Sequence, residues 1–392
     1  MNEPVVLLVL PTLAQAGDRI ALDIAGAVQD ESGTALIASS GGALVAELPR
    51  SGARHIRIAL DRRNPLGMMA SASKLVRLIR SESVDIVHAR GLHAAWPAYL
   101  AARRTSRPLV TTFDLGGPTV GAFDRFYASA LARGDRVIAV SDFVARLAYE
   151  QHKVDDRRLR LVRRGIDTDS FDPARVTAPR MIRLARLWGL PDDLPVLMLP
   201  GRLMPHNGHA LLIDALARIK DRAFHCLVVG AEGDHPGYSA ELEAKARAAG
   251  LNGRFHIVPE CRDMAAAYML ADVVLNAAPV PEAFSLVLAE AQAMGRPVVS
   301  TDRGSAREQV AGNEMAWLVP PEDPAALASA IGRALDLDPD LRARLAAETA
   351  QRARARYART TMCAGTLAVY RELMERPSWR PAPALTEASI PS

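Results

Sequence analysis

Short β-branched runs bounded by turn residues alternate along the chain with longer Ala-, Leu- and Arg-rich stretches of helical period. That alternation predicts βα units on a parallel sheet, because each parallel strand needs a crossover long enough to hold a helix. The predicted strands of the first half are Val5–Leu10, Thr34–Ser39, His55–Leu60, Ile86–His88, Leu109–Phe113, Val137–Val140 and Leu159–Val162. The pattern restarts with Val196–Leu199, Cys226–Val229, Phe255–Val258, Val273–Leu275 and Val298–Ser300. Between the two series, Arg164 to Pro195 carries Pro173, Pro179, Pro191 and Pro195 and no clear strand. The expected architecture is therefore α/β, with doubly wound Rossmann-like domains over residues 1–170 and 195–360 and a linker over 171–194. A helix is expected over 361–376, and the Pro-, Ala- and Ser-rich residues 377–392 read as a loose tail.

Length and composition narrow the class. The 392 residues are 49% hydrophobic and 23% charged, which suits a folded two-domain protein and excludes a disordered or collagenous chain. The balance of 48 basic against 44 acidic residues gives +4, too weak to argue for nucleic acid. Only Lys74, Lys153, Lys220 and Lys245 are lysines, so arginine supplies nearly all the positive charge, as suits oxyanion recognition. Cys226, Cys261 and Cys363 are scattered without metal or disulfide spacing, which points to a reducing, cytoplasmic setting. The apolar start ends at Pro11 and lacks a basic leader, so it reads as a strand. No run approaches the ~20 apolar residues of a membrane span.

Ligands of doubly wound sheets bind beyond the carboxyl ends of the strands, and the usual motifs are missing there: no G-x-G-x-x-G and no P-loop. The densest signal is Pro281-Glu-Ala-Phe-Ser-Leu-Val-Leu-Ala-Glu290, followed by Gly295-Arg-Pro-Val-Val. Ser285 is expected to cap a helix running to Met294, whose free amides favour a phosphate. Glu290 in its second turn suits a ribose diol or sugar hydroxyls. Taken with Pro200-Gly-Arg202-Leu, Gly208-His209, Val228-Val-Gly230, Ala271-Asp-Val-Val-Leu275 and Trp317-Leu-Val-Pro-Pro321, this segment resembles the retaining glycosyltransferases of family 4. Val84-Asp-Ile-Val-His-Ala-Arg90 and Val137-Ile-Ala-Val-Ser-Asp142 extend the resemblance into the first half, especially to bacterial members that build lipopolysaccharide and other surface glycans.

The resemblance implies a GT-B fold, two Rossmann-like domains facing across a cleft, with the C-terminal helix crossing back to the N-terminal domain. It implies a metal-independent, hexosyltransferase-like enzyme with a nucleotide-diphosphate sugar as donor and no cofactor. The acceptor would be lipid-linked or an oligosaccharide, with peripheral contact to an anionic membrane and no nucleic acid partner. Arg202 would meet the diphosphate, Glu290 the ribose and Glu282 the donor sugar, with Asn207, Gly208, Phe284, Ser285 and Leu286 around them. Glu282 and Asp114 are the expected catalytic groups, and Ala16, Gly17, His88 and Arg90 the acceptor or cleft residues.

Four positions depart from the family pattern. Asn207 stands where a lysine is usual, and Ser285 replaces a glycine. The first loop reads Ala16-Gly17 in place of a glycine pair, and Asp114 or Phe113 occupies the place of a histidine near the donor sugar. A carboxylate at 114 is expected to repel the donor phosphates, and these departures motivate an alternative, a nucleotide-sugar-binding relative without turnover. Asp167-Thr-Asp169 reads as a turn rather than a metal motif, Arg157 to Arg164 as a strand with a basic face, and Trp96 and Trp188 as packing residues.

Overall fold

A computed structural model describes residues 3–14, 16–61, 64–116, 121–191, 193–233, 235–259 and 261–375. The tail expected over 377–392 lies outside the described residues. The chain divides into two compact units, one running to Arg163 and resuming at Thr360, the other spanning Arg164–Arg359.

The first unit holds a seven-stranded sheet of β1 (Val5–Val9), β2 (Thr34–Ser39), β3 (Arg54–Arg57), β4 (Ile86–Arg90), β5 (Leu109–Phe113), β6 (Arg136–Ala139) and β7 (Leu159–Leu161). Its order is β3-β2-β1-β4-β5-β6-β7, parallel throughout. The central strands are buried on both faces, as helix-covered parallel strands must be, including the polar His88 and Arg90 of β4 and Thr111 and Thr112 of β5. The helix Arg359–Met374 buries Met362, Leu367, Val369, Tyr370 and Leu373 in this unit's core. At ~1.5–3 kcal/mol for each large apolar side chain, that burial is ample to hold the returning helix on the first sheet.

The second unit holds β8 (Val196–Pro200), β9 (His225–Val229), β10 (Phe255–Val258), β11 (Val273–Asn276), β12 (Val298–Thr301) and β13 (Ala316–Val319), in the parallel order β10-β9-β8-β11-β12-β13. β13 has no counterpart among the strands expected from sequence. The segment expected as a linker, 171–194, contains the helix Ala178–Trp188, and it falls in this unit. Leu184 and Trp188 of that helix pack on the second unit's core, while Trp96 is buried in the first unit, stacked on Phe126.

Candidate active site

In the second sheet the strand order reverses between β8 and β11, so the loops leaving those strands flank the switch point where ligands of such sheets bind. After β8 the chain passes Gly201 and Arg202, makes a 3-10 turn over Pro205–Asn207 and enters the helix His209–Arg218 at Gly208. Gly208 has φ +81°, and a Cβ there would fall 1.9 Å from the carbonyl oxygen of Ala277, just past β11. Only glycine lets the two loops approach this closely. Arg202 is exposed at the mouth, and Asn207 donates from Nδ2 to the Arg202 carbonyl at 2.7 Å. The residue in the usual lysine's place thus braces the loop. Of the neighbouring histidines, His209 is buried with its pKa pushed down to about 4, so it is neutral at pH 7. His206 stays exposed and lies near enough for its charge to favour ionised Glu282.

Beyond β11 stand the two glutamates. Asn276, the last residue of β11, donates from Nδ2 to Glu282 Oε2 at 2.8 Å and to Ser285 Oγ at 3.0 Å. Burial raises the Glu282 pKa, while Asn276, Ser285 and His206 pull it back. Gly304, at φ +58°, allows the Glu282 backbone to pass where a Cβ would lie 2.3 Å from its carbonyl oxygen, and Ser305 N–H donates to that oxygen at 3.0 Å. Eight residues on, Glu290 accepts from the hydroxyl of fully buried Tyr268 at 2.9 Å, and burial pushes its pKa up to about 7.

The helix between them runs Leu286–Ala293 with Ser285 at its N-cap position. The expected cap bond is not made, because the Ser285 hydroxyl is taken by Asn276. Nor is the Ser285 amide open to a phosphate: it donates to Gln309 Oε1 at 2.8 Å, and Gln309 Nε2 donates back to the Ser285 carbonyl at 2.9 Å. Behind Gln309, Ser305, Gln292, Asn313 and Thr349 form a buried chain of hydrogen bonds. Satisfied in this way, the network stiffens the floor of the site. Phe284 is also buried, edge-on to Tyr357, while Leu286 opens the helix half-buried.

In the first unit the order reverses between β1 and β4. Past β1, Ala16 and Gly17 lie in a 3-10 turn that leads into the helix Arg19–Asp30. His88, expected at the cleft, is fully buried: its Nδ1 lies 2.6 Å from the Tyr370 hydroxyl and its Nε2 2.8 Å from Thr112 Oγ1. With both nitrogens engaged it is a packing residue, not a ligand contact. Burial and nearby Arg90 hold its pKa well below the ordinary value, so it is neutral. Arg90, 8% exposed, donates to Thr112 Oγ1 at 3.3 Å and pairs with Asp114 at 3.9 Å. The carboxylate expected to repel phosphates therefore has its own cation.

Elsewhere, Asp167 accepts from the Asp169 and Ser170 amides at 3.2 Å and closes a turn. Arg160 of the basic β7 face is tied to Glu372. Among the described residues no cluster of His, Cys, Asp and Glu is placed to hold a metal, and no helix is long and apolar enough to cross a membrane.

Residues 22–170 match the family described as "Glycosyltransferase Family 4", and residues 194–336 match "Glycosyl transferases group 1". A "D-inositol 3-phosphate glycosyltransferase" of Xylanimonas cellulosilytica is 34% identical over 331 residues, 77% of this chain and 75% of that protein. A second so named, from Geodermatophilus obscurus, is 31% identical over 63% of this chain and 58% of its own length. The chain belongs to glycosyltransferase family 4. A glycosyltransferase structure from Rickettsia africae superposes with a TM-score of 0.88 at 28% identity, covering 96% of this chain and 100% of that one. Anabaena HepE, solved with UDP-glucose, gives 0.80 at 24% identity over 93% of this chain and 99% of its own, a likeness of GT-B fold.

For a family 4 transferase, the residues that sequence reasoning missed are those that hold the named ones: Asn276 for Glu282, Tyr268 for Glu290, Gln309 for Ser285, and Thr112 for Arg90. Asn276 carried a signal, a polar residue ending an apolar strand at the switch point. The others lie too far along the chain from the groups they hold.

Proposed function

We propose that this glycosyltransferase moves a sugar from a nucleotide-diphosphate sugar to a hydroxyl of a surface-glycan or lipopolysaccharide acceptor, with retention and without a metal. The observation that carries the donor reading is the pair Glu282 and Glu290, the first held by half-buried Asn276 and the second by buried Tyr268, on the segment adjoining the Gly208 turn behind Arg202. Glu290 would accept from the ribose diol and Glu282 from the donor sugar. Arg202, exposed and unencumbered by a salt bridge among the described contacts, would meet the diphosphate. As the bond from the sugar's anomeric carbon to phosphate breaks, charge grows on the leaving oxygen, and a fixed guanidinium stabilises it. The leaving phosphate would take the acceptor's proton as the new bond forms on the same face. Asp114 and Arg90 supply the polar pair of the acceptor-side unit.

Membrane contact is part of this reading. Leu66 is 84% and Phe126 52% exposed, on neighbouring helical segments that also expose Arg77, Arg104 and Arg125. Basic and apolar groups together suit an anionic bilayer, at about 1 kcal/mol per basic residue near the surface. The names of the inositol-phosphate relatives favour a second acceptor, a phosphorylated cyclitol in solution. The test is nucleotide release with UDP-, ADP- and GDP-sugars, offered a lipid-linked glycan in anionic vesicles or inositol 3-phosphate. Release only with the vesicle-borne glycan supports the first acceptor, and release with inositol 3-phosphate alone replaces it with the second. Failure of every nucleotide sugar to bind would remove the donor reading itself.

A further inference from the structure

The Glu282 cluster has a hydrogen-bonding inventory that limits which sugar it can face. Asn276 has two N–H donors on Nδ2, and both are spent, one on Glu282 Oε2 at 2.8 Å and one on Ser285 Oγ at 3.0 Å. Ser285 Oγ, as an acceptor from Asn276, has its single hydrogen left to aim elsewhere, and that hydrogen favours the ionised form of Glu282. The Ser285 amide is committed to Gln309. Around Glu282 these two side chains have no donor remaining for a ligand, while an ionised carboxylate receiving two bonds still has lone pairs to offer.

We propose that Asn276 and Ser285 are positioning residues that make Glu282 an acceptor-only recognition point, selecting a neutral polyhydroxy donor sugar and rejecting a uronic acid. The inference rests on the reading that Glu282 faces the donor sugar. A sugar hydroxyl donates into the held carboxylate. A uronate would bring a second carboxylate beside it, where neither Asn276 nor Ser285 has a donor left to mediate, and like charges in a partly dry site repel. A sugar lacking the hydroxyl would leave the carboxylate's remaining lone pairs without a partner, and a site built to hydrogen-bond a hydroxyl discriminates against an analogue without it. Asn276 is central because its amide fixes both partners at once. Changing it to aspartate keeps the shape, removes both donors and adds a repelling charge.

The test is calorimetry on the full chain with UDP, UDP-glucose and UDP-glucuronate, or the ADP or GDP counterparts if the chain prefers another base. Wild type should bind the glucose form at least tenfold tighter than the glucuronate form. Asn276→Asp should weaken UDP-glucose by tenfold or more while UDP itself stays within about twofold, since Glu290 and Arg202 are untouched. Should Asn276→Asp fold poorly, Ser285→Ala keeps the backbone bonds to Gln309 and should lose UDP-glucose affinity by about threefold to tenfold with UDP unchanged. Equal binding of glucose and glucuronate forms by wild type overturns the proposal. So does a loss in the variants that is as large for UDP as for UDP-glucose. If wild type binds no nucleotide at all, the donor-site reading fails and takes this inference with it.

Discussion

The two units share one strand order around a reversal point, yet they hold their polar residues by different means. In the second unit Glu282, Ser285 and Glu290 lie on one short stretch of chain, braced from behind by Asn276, Tyr268 and Gln309. In the first, His88, Arg90, Thr112 and Asp114 come from two adjacent strand ends, and the group is closed by Tyr370, 282 residues away from His88 along the chain. A site written in one segment can be read as a motif. A site assembled from strand ends and a returning helix exists only after folding, so substitutions that look like repairs in sequence can be losses in structure.

The largest loss is expected at Gly208, in the second unit. Alanine there would need a left-handed backbone costing ~1–2 kcal/mol and would drive a Cβ into the Ala277 carbonyl, for a further ~1–3 kcal/mol. Gly208→Ala should therefore lose about 3 kcal/mol of stability and most nucleotide affinity, as read by thermal unfolding with and without nucleotide. Wild-type behaviour would mean that the two loops of the second unit need not touch.

The matching cut in the first unit is Glu372→Ala. Glu372 bridges Arg136, which is 2% exposed, and Arg160, and these bonds hold its pKa down to about 2. Removing it strands a buried guanidinium, but Glu372 is itself about one-third exposed, so the loss is discounted for solvent screening to ~2 kcal/mol. Because its folded pKa is depressed from 4.5, this contribution is present above pH 4.5 and fades as pH falls toward 2. Urea titrations at pH 7 and pH 3 should show the wild-type advantage over the variant shrinking at the lower pH, with nucleotide affinity at pH 7 unchanged.

Asp114→His sharpens the contrast between motif and assembly. A missing family histidine makes this change look like a restoration. Its pairing with largely buried Arg90 predicts instead that transfer falls roughly tenfold, equivalent to ~1.4 kcal/mol, while nucleotide diphosphate affinity holds. Faster transfer in steady-state kinetics would show that the ion pair is not used. The smallest effect is expected from Asn207→Lys: it loses the 2.7 Å brace on the Arg202 carbonyl and gains an exposed cation. The net gain in diphosphate binding should be no more than ~1 kcal/mol and should vanish at high salt. A large, salt-insensitive gain would mean that the brace is dispensable.

Most strands were legible because parallel strands buried on both faces are near-continuous apolar runs, and Thr34–Ser39 and Leu109–Phe113 have the bounds read from sequence. β13 was missed because Ala316–Val319 is a four-residue edge strand, mostly half-buried, without a buried run or alternation. The helix Ala178–Trp188 hid among prolines, although Pro179 in its first turn and Gly189 in a left-handed cap are the ordinary marks of a helix's two ends. At the site, the glutamates could be named from a segment, Phe284 and Gly295-Arg-Pro-Val-Val included, that resembles family 4. Their holders could not, since Tyr268 and Gln309 are each more than twenty residues from the groups they bond. His88 is the converse case: the sequence leaves packing and acceptor contact both open for it, and its two buried partners decide for packing.

Donor binding is proposed to rest on Arg202 and Glu290 of the second unit. Calorimetry with the preferred nucleotide diphosphate at pH 8, where a Glu290 carboxyl of pKa about 7 is ionised, tests it most directly. Arg202→Ala and Glu290→Ala should each weaken binding by ~1.5–3 kcal/mol, roughly tenfold to a hundredfold, with little change in folding. Dissociation constants equal to wild type in both variants would contradict the account.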